Sequence, residues 1–237
     1  MRTNITQPQL DTKPGITRRA IQVFATIAFL AAMLFLPSGR LDWVWAWVLI
    51  GLYLLGILAN FVLLMRFSPA TIAERAEARG MKAWDKIVGG LWSLMYFVAT
   101  PVVAGLDARF GWTGSYPLAL HVLGALAFAL GLALFSWAMI SNAFFATVVR
   151  IQTDRGHTVC TTGPYRFVRH PGYVGGIVQS LAVPLLLGSP WALVPGGLAA
   201  LLMIIRTALE DRTLREELPG YVDYAQRTRY RLVPGVW

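Results

Sequence analysis

Five long stretches of this chain contain no Asp, Glu, Lys or Arg, and they constrain its fold more than any other feature. They are residues Ala20–Gly39, Trp43–Met65, Ile87–Leu106, Phe110–Val149 and Gly172–Ile205. About 20 helical residues cross a hydrocarbon core of about 30 Å, so each stretch is long enough for at least one crossing. Inside lipid every backbone polar group needs an internal partner, which only helices and closed barrels provide. The sequence therefore predicts an all-α polytopic membrane protein.

The two longest stretches need a finer interpretation. The centre of the fourth, roughly Tyr116 to Ile140, predicts a single helix. The fifth is too long for one ordinary crossing, and Gly188-Ser189-Pro190 interrupts it near its middle. Glycine and proline close together typically mark a turn. We therefore expect a C-terminal helical hairpin, and five or six crossings in total.

Basic residues alternate between the segments that separate the predicted crossings. With six crossings, the successive counts of Lys and Arg are 4, 1, 5, 1, 4, 0 and 6, which accounts for all 21. Cytoplasmic loops of membrane proteins carry an excess of these residues. The pattern predicts that both termini are cytoplasmic, at the inner membrane if the host is a bacterium. It also explains the net charge of +9 without a nucleic-acid partner.

Other features exclude several classes of protein. Only 14% of the residues are charged, whereas an average soluble domain has about 25%. The single cysteine, Cys160, excludes an internal disulfide. The histidines and this cysteine lack the spacing of a known metal site, so we predict no metal. For His121, inside the fourth predicted helix, we expect an interhelical hydrogen bond. Ser68 and the polar run that follows it to Gly80 predict a short cytoplasmic helix.

Polar residues concentrate in two segments of this otherwise apolar chain. The first, from Arg150 to Tyr173, contains His157, Tyr165 and His170 between closely spaced glycines and prolines. Glycines and prolines at this spacing indicate a series of defined turns and not a flexible linker. The segment is therefore a candidate functional site.

The second polar segment begins at Arg206, where the predicted hairpin returns to the cytoplasmic side. Arg206 and Glu210 are four residues apart and so share one helical face, with Asp211 beside them. Taken alone, the pair is typical of an interfacial salt bridge with a snorkelling arginine. Because both polar segments flank the same hairpin, we expect them to face each other.

The segment from Thr162 to Gly175 has the pattern Gly-x-Tyr, then Arg-His-Pro-x-Tyr-x-Gly, and the acidic pair Glu210-Asp211 follows about 37 residues after Tyr173. In these residues the chain resembles the isoprenylcysteine carboxyl methyltransferases and their relatives, the small membrane phospholipid methyltransferases. The resemblance covers roughly residues 148–234. It implies two parts: N-terminal transmembrane helices that shape the acceptor pocket, residues 1–141, and a methyltransferase core, residues 142–237.

The resemblance implies S-adenosylmethionine as the methyl donor, in a cytoplasmic pocket capped by the C-terminal segment. The donor contacts that it implies are His157, Thr158, Val159, Cys160, Tyr165, His170, Pro171, Gly172, Tyr173 and Glu210. Arg206 matches the arginine that faces the methyl acceptor, which makes it the expected catalytic residue. Arg150 and Asp211 depart from the glutamine and glutamate that relatives carry, so their roles stay open. The residue types agree with the implied donor, because aromatic faces suit an adenine ring and a sulfonium, and a carboxylate binds ammonium or ribose hydroxyls.

Three functions are compatible with these residues. The first is O-methylation of a carboxylate on a prenylated or otherwise lipophilic acceptor, which arrives ionised and which an arginine fork can orient. The second is N-methylation of a phospholipid amine, which needs a base such as Glu210 or His170. The third is a non-catalytic membrane scaffold or transporter; an NADPH-dependent membrane reductase is a more remote enzymatic alternative.

A carboxylate acceptor needs no base, whereas an amine acceptor does, and this difference favours O-methylation of a carboxylate. We expect the partners to be membrane lipids and a lipophilic substrate that enters from the membrane, while the acceptor's identity and the oligomeric state stay open.

Overall fold

The computed structural model describes the backbone of residues 13–67 and 80–237, and the side chains of residues 21–66 and 80–237. This part of the chain is helical, which confirms the predicted fold class. In chain order the helices are α1 (Lys13–Ser38), α2 (Val44–Phe67), α3 (Ala83–Phe110), α4 (Leu118–Ser141), α5 (Pro171–Leu187), α6 (Leu193–Glu217) and α7 (Tyr221–Arg227). The short helix predicted between Ser68 and Gly80 lies outside the described residues.

Among the described residues, five helices are long and apolar enough to cross a membrane. The corresponding spans are Ile21–Ser38, Val44–Arg66, Ala83–Phe110, Leu118–Ser141 and Leu193–Glu217. The apolar helix α5 has 17 residues, at the short end of the lengths that cross a bilayer. Gly188 ends α5 in the left-handed conformation, with φ of 77°, and α6 starts at Leu193. The predicted hairpin is therefore confirmed.

Helices α4 and α5 pack with their backbones almost in contact. A Cβ atom on Gly175 would lie 2.5 Å from the carbonyl oxygen of Gly131, and one on Gly131 would lie 2.9 Å from the carbonyl oxygen of Gly175. Small residues allow this close approach between helices in membranes. The contact brings the end of α4 beside the beginning of α5, where the first polar segment lies.

His121 lies at the opposite end of the bundle from that polar segment. Its Nδ1 bonds to the carbonyl oxygen of Leu186 at 2.7 Å, and its ring stacks on Trp45 with the centroids 4.2 Å apart. The predicted interhelical hydrogen bond is therefore confirmed. His121 holds α4 against α5 and is remote from the candidate site.

Polar contacts also close the end of the bundle that carries the polar segments. Lys82, just before α3, pairs with Glu217 at the end of α6, with the nitrogen and oxygen 2.6 Å apart. The backbone N–H of Lys82 donates to the carbonyl of Val149 at 3.1 Å. The beginning of α3, the end of α6 and the chain after α4 therefore meet at one end of the bundle.

Candidate functional site

A cleft opens at this end, where α4 stops and α5 starts. Its walls are the extended chain after α4, the loop that leads to α5, the first turn of α5, and the second half of α6 with α7. Aromatic side chains form much of the lining, namely Phe144, Phe145, Tyr165, Tyr173, Tyr221 and Tyr224. The carboxylate-bearing Glu210 lies among them. The two polar segments therefore do face each other.

The cleft gathers nine of the ten donor contacts that the resemblance implies. These are His157, Thr158, Val159, Cys160, Tyr165, His170, Gly172, Tyr173 and Glu210. Pro171 and Arg206 are described by the structure but lie outside the lining. The structure thus brings the residues together, while their contact with a donor stays a prediction.

The His-Pro dipeptide sets the start of α5. His170 is the N-cap, with non-helical backbone, and Pro171 occupies the first turn, where a missing N–H costs nothing. Gly172 follows against Phe145, because a Cβ there would lie 2.8 Å from that ring. Pro171 therefore has a backbone role in positioning His170 and Tyr173 at the cleft.

Asp211 is a buried carboxylate with several cationic partners. Its oxygens accept hydrogen bonds from the Nε atoms of Arg169 at 2.6 Å, Arg215 at 3.0 Å and Arg231 at 2.9 Å. The Tyr221 hydroxyl donates to it at 3.0 Å. Burial and the adjacent Asp211 raise the pKa of Tyr221, so that the hydroxyl keeps its proton and remains a donor. The open role of Asp211 is thus answered: it joins α6 to the loop before α5, to α7 and to the C-terminal segment.

The same loop holds the C-terminal segment through its backbone. The N–H of Arg169 donates to the carbonyl of Tyr230 at 2.9 Å, and the N–H of His170 donates to that of Arg231 at 3.0 Å. The Arg169 guanidinium also donates to the carbonyls of Thr228 and Arg229. The Arg-His pair of the motif therefore fixes the segment after α7 beside the cleft.

Glu210 and Tyr173 form the polar centre of the cleft wall. The Tyr173 hydroxyl donates a hydrogen bond to Glu210, and the ring of Tyr173 stacks on His170 with the centroids 5.7 Å apart. His170 is buried, with its Nε2 3.3 Å from an oxygen of Asp211. Glu210 thus accepts a hydrogen bond from a cleft residue, whereas His170 also lies beside Asp211 and the arginines that pair with it.

Arg206 is engaged by a residue that the sequence reasoning missed. Its Nε and Nη2 donate to the two carboxylate oxygens of Asp85, at 2.7 and 3.0 Å. Nη2 also donates to the carbonyl of Thr147 at 3.1 Å. The salt bridge suggested by the spacing of Arg206 and Glu210 goes instead to Asp85, at the start of α3. The signal for Asp85 was an acidic residue two positions before a long apolar stretch.

His157 occupies the loop side of the cleft. Its ring stacks on Phe144 with the centroids 4.5 Å apart, and the N–H of Gln152 donates to its Nδ1 at 3.3 Å. Burial, and then the nearby charges of Arg150 and Arg155, lower the pKa of His157 to about 4. At neutral pH the imidazole is therefore uncharged, and its proton lies on Nε2 because Nδ1 accepts.

Comparison with known proteins identifies the region that contains this geometry. Residues 119–218 match the family model of the phospholipid methyltransferases. The cobalt-zinc-cadmium resistance protein CzcN of Cupriavidus metallidurans is 32% identical over 151 residues, which span 59% of this chain and 60% of that protein. The matched family region contains α4, α5, α6 and most of the cleft lining. Residues 119–218 are therefore similar to the phospholipid methyltransferases.

Proposed function

We propose that this protein is an integral membrane methyltransferase that uses S-adenosylmethionine and acts on a lipophilic acceptor. The observation that carries the proposal is the cleft at the end of α4, α5 and α6, where Glu210 lies among aromatic side chains inside the family-matched region. A carboxylate among aromatic faces fits a ligand that carries both cationic groups and an aromatic base. The same fold without catalysis, as a scaffold or transporter, would not require that combination.

The residues present fit the donor in their chemistry. Glu210 would hold its ammonium or ribose hydroxyls, and the rings of Tyr165 and Tyr224 offer faces for its sulfonium or adenine. His157 can donate a hydrogen bond from Nε2. When bound, S-adenosylmethionine supplies an electrophilic methyl carbon on a positively charged sulfur. The contribution of the protein is to orient the acceptor in line with that carbon and to exclude water.

A carboxylate is one candidate for the reacting group of the acceptor. It is ionised at neutral pH, so the protein needs only to position it, and no base is required. Arg206 is the residue that the family resemblance assigns to this task. In the structure its two-pronged face is already bonded to Asp85, so a carboxylate would have to displace that partner.

A lipid amine is the second candidate, and the Arg206–Asp85 pair favours it. The pair is neutral overall, so it does not repel a cationic headgroup as a free guanidinium would. The amine must lose a proton before it attacks, and Glu210 in the cleft wall is a carboxylate that can accept one. Tyr173 holds this carboxylate through its hydroxyl.

The membrane setting follows from the acceptor. A lipophilic acceptor partitions into the bilayer, so an enzyme embedded there can receive it laterally between helices. We propose, from the alternation of basic residues, that the cleft faces the cytoplasm together with both termini, at the inner membrane if the host is a bacterium.

The name of CzcN refers to cobalt, zinc and cadmium resistance. Within the described ranges, no three His, Cys, Asp or Glu side chains are grouped to hold a metal ion.

The test is to incubate the purified protein with methyl-labelled S-adenosylmethionine and a membrane lipid extract, and to identify the labelled product. Label released as methanol by mild base indicates a methyl ester, whereas label that stays on the lipid indicates an N-methyl amine. The Glu210→Ala variant serves as the control. Failure of the wild type to bind the donor would favour the scaffold or transporter, and binding of NADPH instead would favour the reductase.

A further inference from the structure

Asp85 lies outside the family-matched region but holds a residue inside it. The matched region starts at residue 119, whereas Asp85 belongs to the first turn of α3. Asp85 is 2% exposed and Arg206 is 8% exposed, so their ion pair is almost fully shielded from water. Both carboxylate oxygens and two guanidinium nitrogens take part. Such a pair holds the arginine in one orientation.

The pair is connected directly to the wall of the cleft. The second oxygen of Asp85 also accepts from the N–H of Val149, a lining residue, at 2.7 Å. The Arg206 guanidinium lies over the ring of Tyr173, with its Cζ 5.5 Å from the centroid. Tyr173 in turn lines the cleft and bonds to Glu210. A change in the net charge of the pair would therefore alter the electrostatic potential in the cleft, because only one layer of residues separates the two.

The charges around Arg206 leave no unbalanced positive charge that could attract an anionic acceptor. Asp85 balances the guanidinium, and Glu210 adds a second carboxylate one helical turn away on α6. Displacing Asp85 would leave a buried carboxylate without its counter-ion, which is strongly unfavourable.

We propose that Asp85 is a positioning residue that occupies the fork of Arg206 and keeps it electrically neutral, so that the acceptor site selects against anionic reacting groups. This inference rests on the proposed function, because it assumes that the cleft takes an acceptor. It goes further because it names a residue of the N-terminal helices that determines whether the site accepts an anionic or a cationic reacting group.

The test compares two photoactivatable probes of the same C18 chain, one ending in a carboxylate and one in a primary amine. Each is crosslinked to the protein in lipid nanodiscs, and crosslinks to residues of the cleft lining are quantified by mass spectrometry. The wild type should give more crosslinks with the amine. Asp85→Asn keeps the shape but removes the negative charge, so the carboxylate-to-amine ratio should rise about tenfold.

The matched control is Asp107→Asn. Asp107 is also buried on α3, but it bonds to the N–H and hydroxyl of Thr113 near the far end of the helix. Its substitution should leave the ratio unchanged. The double variant Asp85→Asn with Arg206→Gln keeps a hydrogen-bonded pair without charge and should return to the ratio of the wild type.

Two results would overturn the inference: a wild type that prefers the carboxylate, or a folded Asp85→Asn protein with the ratio of the wild type. If Asp85→Asn alone does not fold, the wild-type measurement and the uncharged double variant decide. Donor binding is measured separately by calorimetry. Its absence in the wild type would contradict the proposed function, whereas an unchanged probe ratio with normal donor binding contradicts only the role of Asp85.

Discussion

Arg169 and Asp211 form a buried ion pair, with Nε and Oδ1 2.6 Å apart, that joins the loop before α5 to the second half of α6. Arg169 also donates to the backbone carbonyls of Thr228 and Arg229. One contact thus links three parts of the chain around the cleft. Because the Arg-His-Pro motif contains Arg169, part of the motif serves to hold the site together.

Asp211→Asn should destabilise the folded protein. The change leaves Arg169, Arg215 and Arg231 without the carboxylate that they share. Breaking a buried pair in this way costs about 3–5 kcal/mol. Thermal unfolding in detergent measures the loss. The control, Asp154→Asn, removes an exposed partner of Arg150 and should cost less than about 1 kcal/mol; equal unfolding temperatures for the two variants would contradict the assigned role.

Stability should fall in acid partly through His157. Its pKa is about 4 in the folded protein, against an ordinary value of 6.5. The unfolded state therefore binds more protons between these values, so stability is complete above about pH 6.5 and declines as the pH falls toward 4. His157→Gln should flatten this part of the profile. Unfolding temperatures recorded from pH 7.5 to pH 4.5 for both proteins provide the check, and parallel profiles would argue against the shift.

Glu210→Ala should weaken binding of S-adenosylmethionine. Glu210 lines the cleft, and losing a charge-assisted hydrogen bond costs on the order of 1–3 kcal/mol. His170→Ala should have an effect of similar size, together with some loss of stability because His170 is also close to Asp211. Calorimetric titration gives the affinities. Glu217→Ala, on the same helix but paired with Lys82, should bind the donor normally; normal binding by both site variants would mean that the motif is misassigned.

Arg206→Lys should reduce turnover by at least about tenfold, or about 1.4 kcal/mol, with donor affinity nearly unchanged. Lysine keeps the charge but cannot bond to both oxygens of Asp85 and to the Thr147 carbonyl in the same geometry. Single-turnover methylation with the product identified above measures the effect. Arg212→Lys alters an exposed pair with Glu216 on the same helix and should retain activity. Normal turnover in Arg206→Lys would leave this arginine with a packing role only.

Reporter fusions at Gly39 and at the C-terminus should lie on opposite sides of the membrane. Gly39 follows α1, and the predicted alternation of basic residues puts that connection outside and the C-terminus inside. Paired phosphatase and fluorescent-protein fusions give opposite signals on the two sides. The same signal at both positions would contradict the topology.

The positions of the helices could be predicted from the sequence because they depend on local composition. A charge-free stretch of sufficient length must be helical in lipid, and Gly188 must end a helix where φ is positive. The hairpin also had to bring His170 and Glu210 to the same end of the bundle, since its two helices run antiparallel. The facing of the two polar segments could be predicted for this reason, whereas the individual donor contacts were implied by the family resemblance.

The partners of the buried charges were decided only by the tertiary structure. Spacing along one helix pointed from Arg206 to Glu210, but α3 packs beside α6 and supplies Asp85, 121 residues away. Asp211 likewise collects Arg169 and Arg231 from segments distant in sequence. A charged group removed from water pairs with whichever opposite charge the packing brings within hydrogen-bond distance, and one sequence does not specify which helices become neighbours.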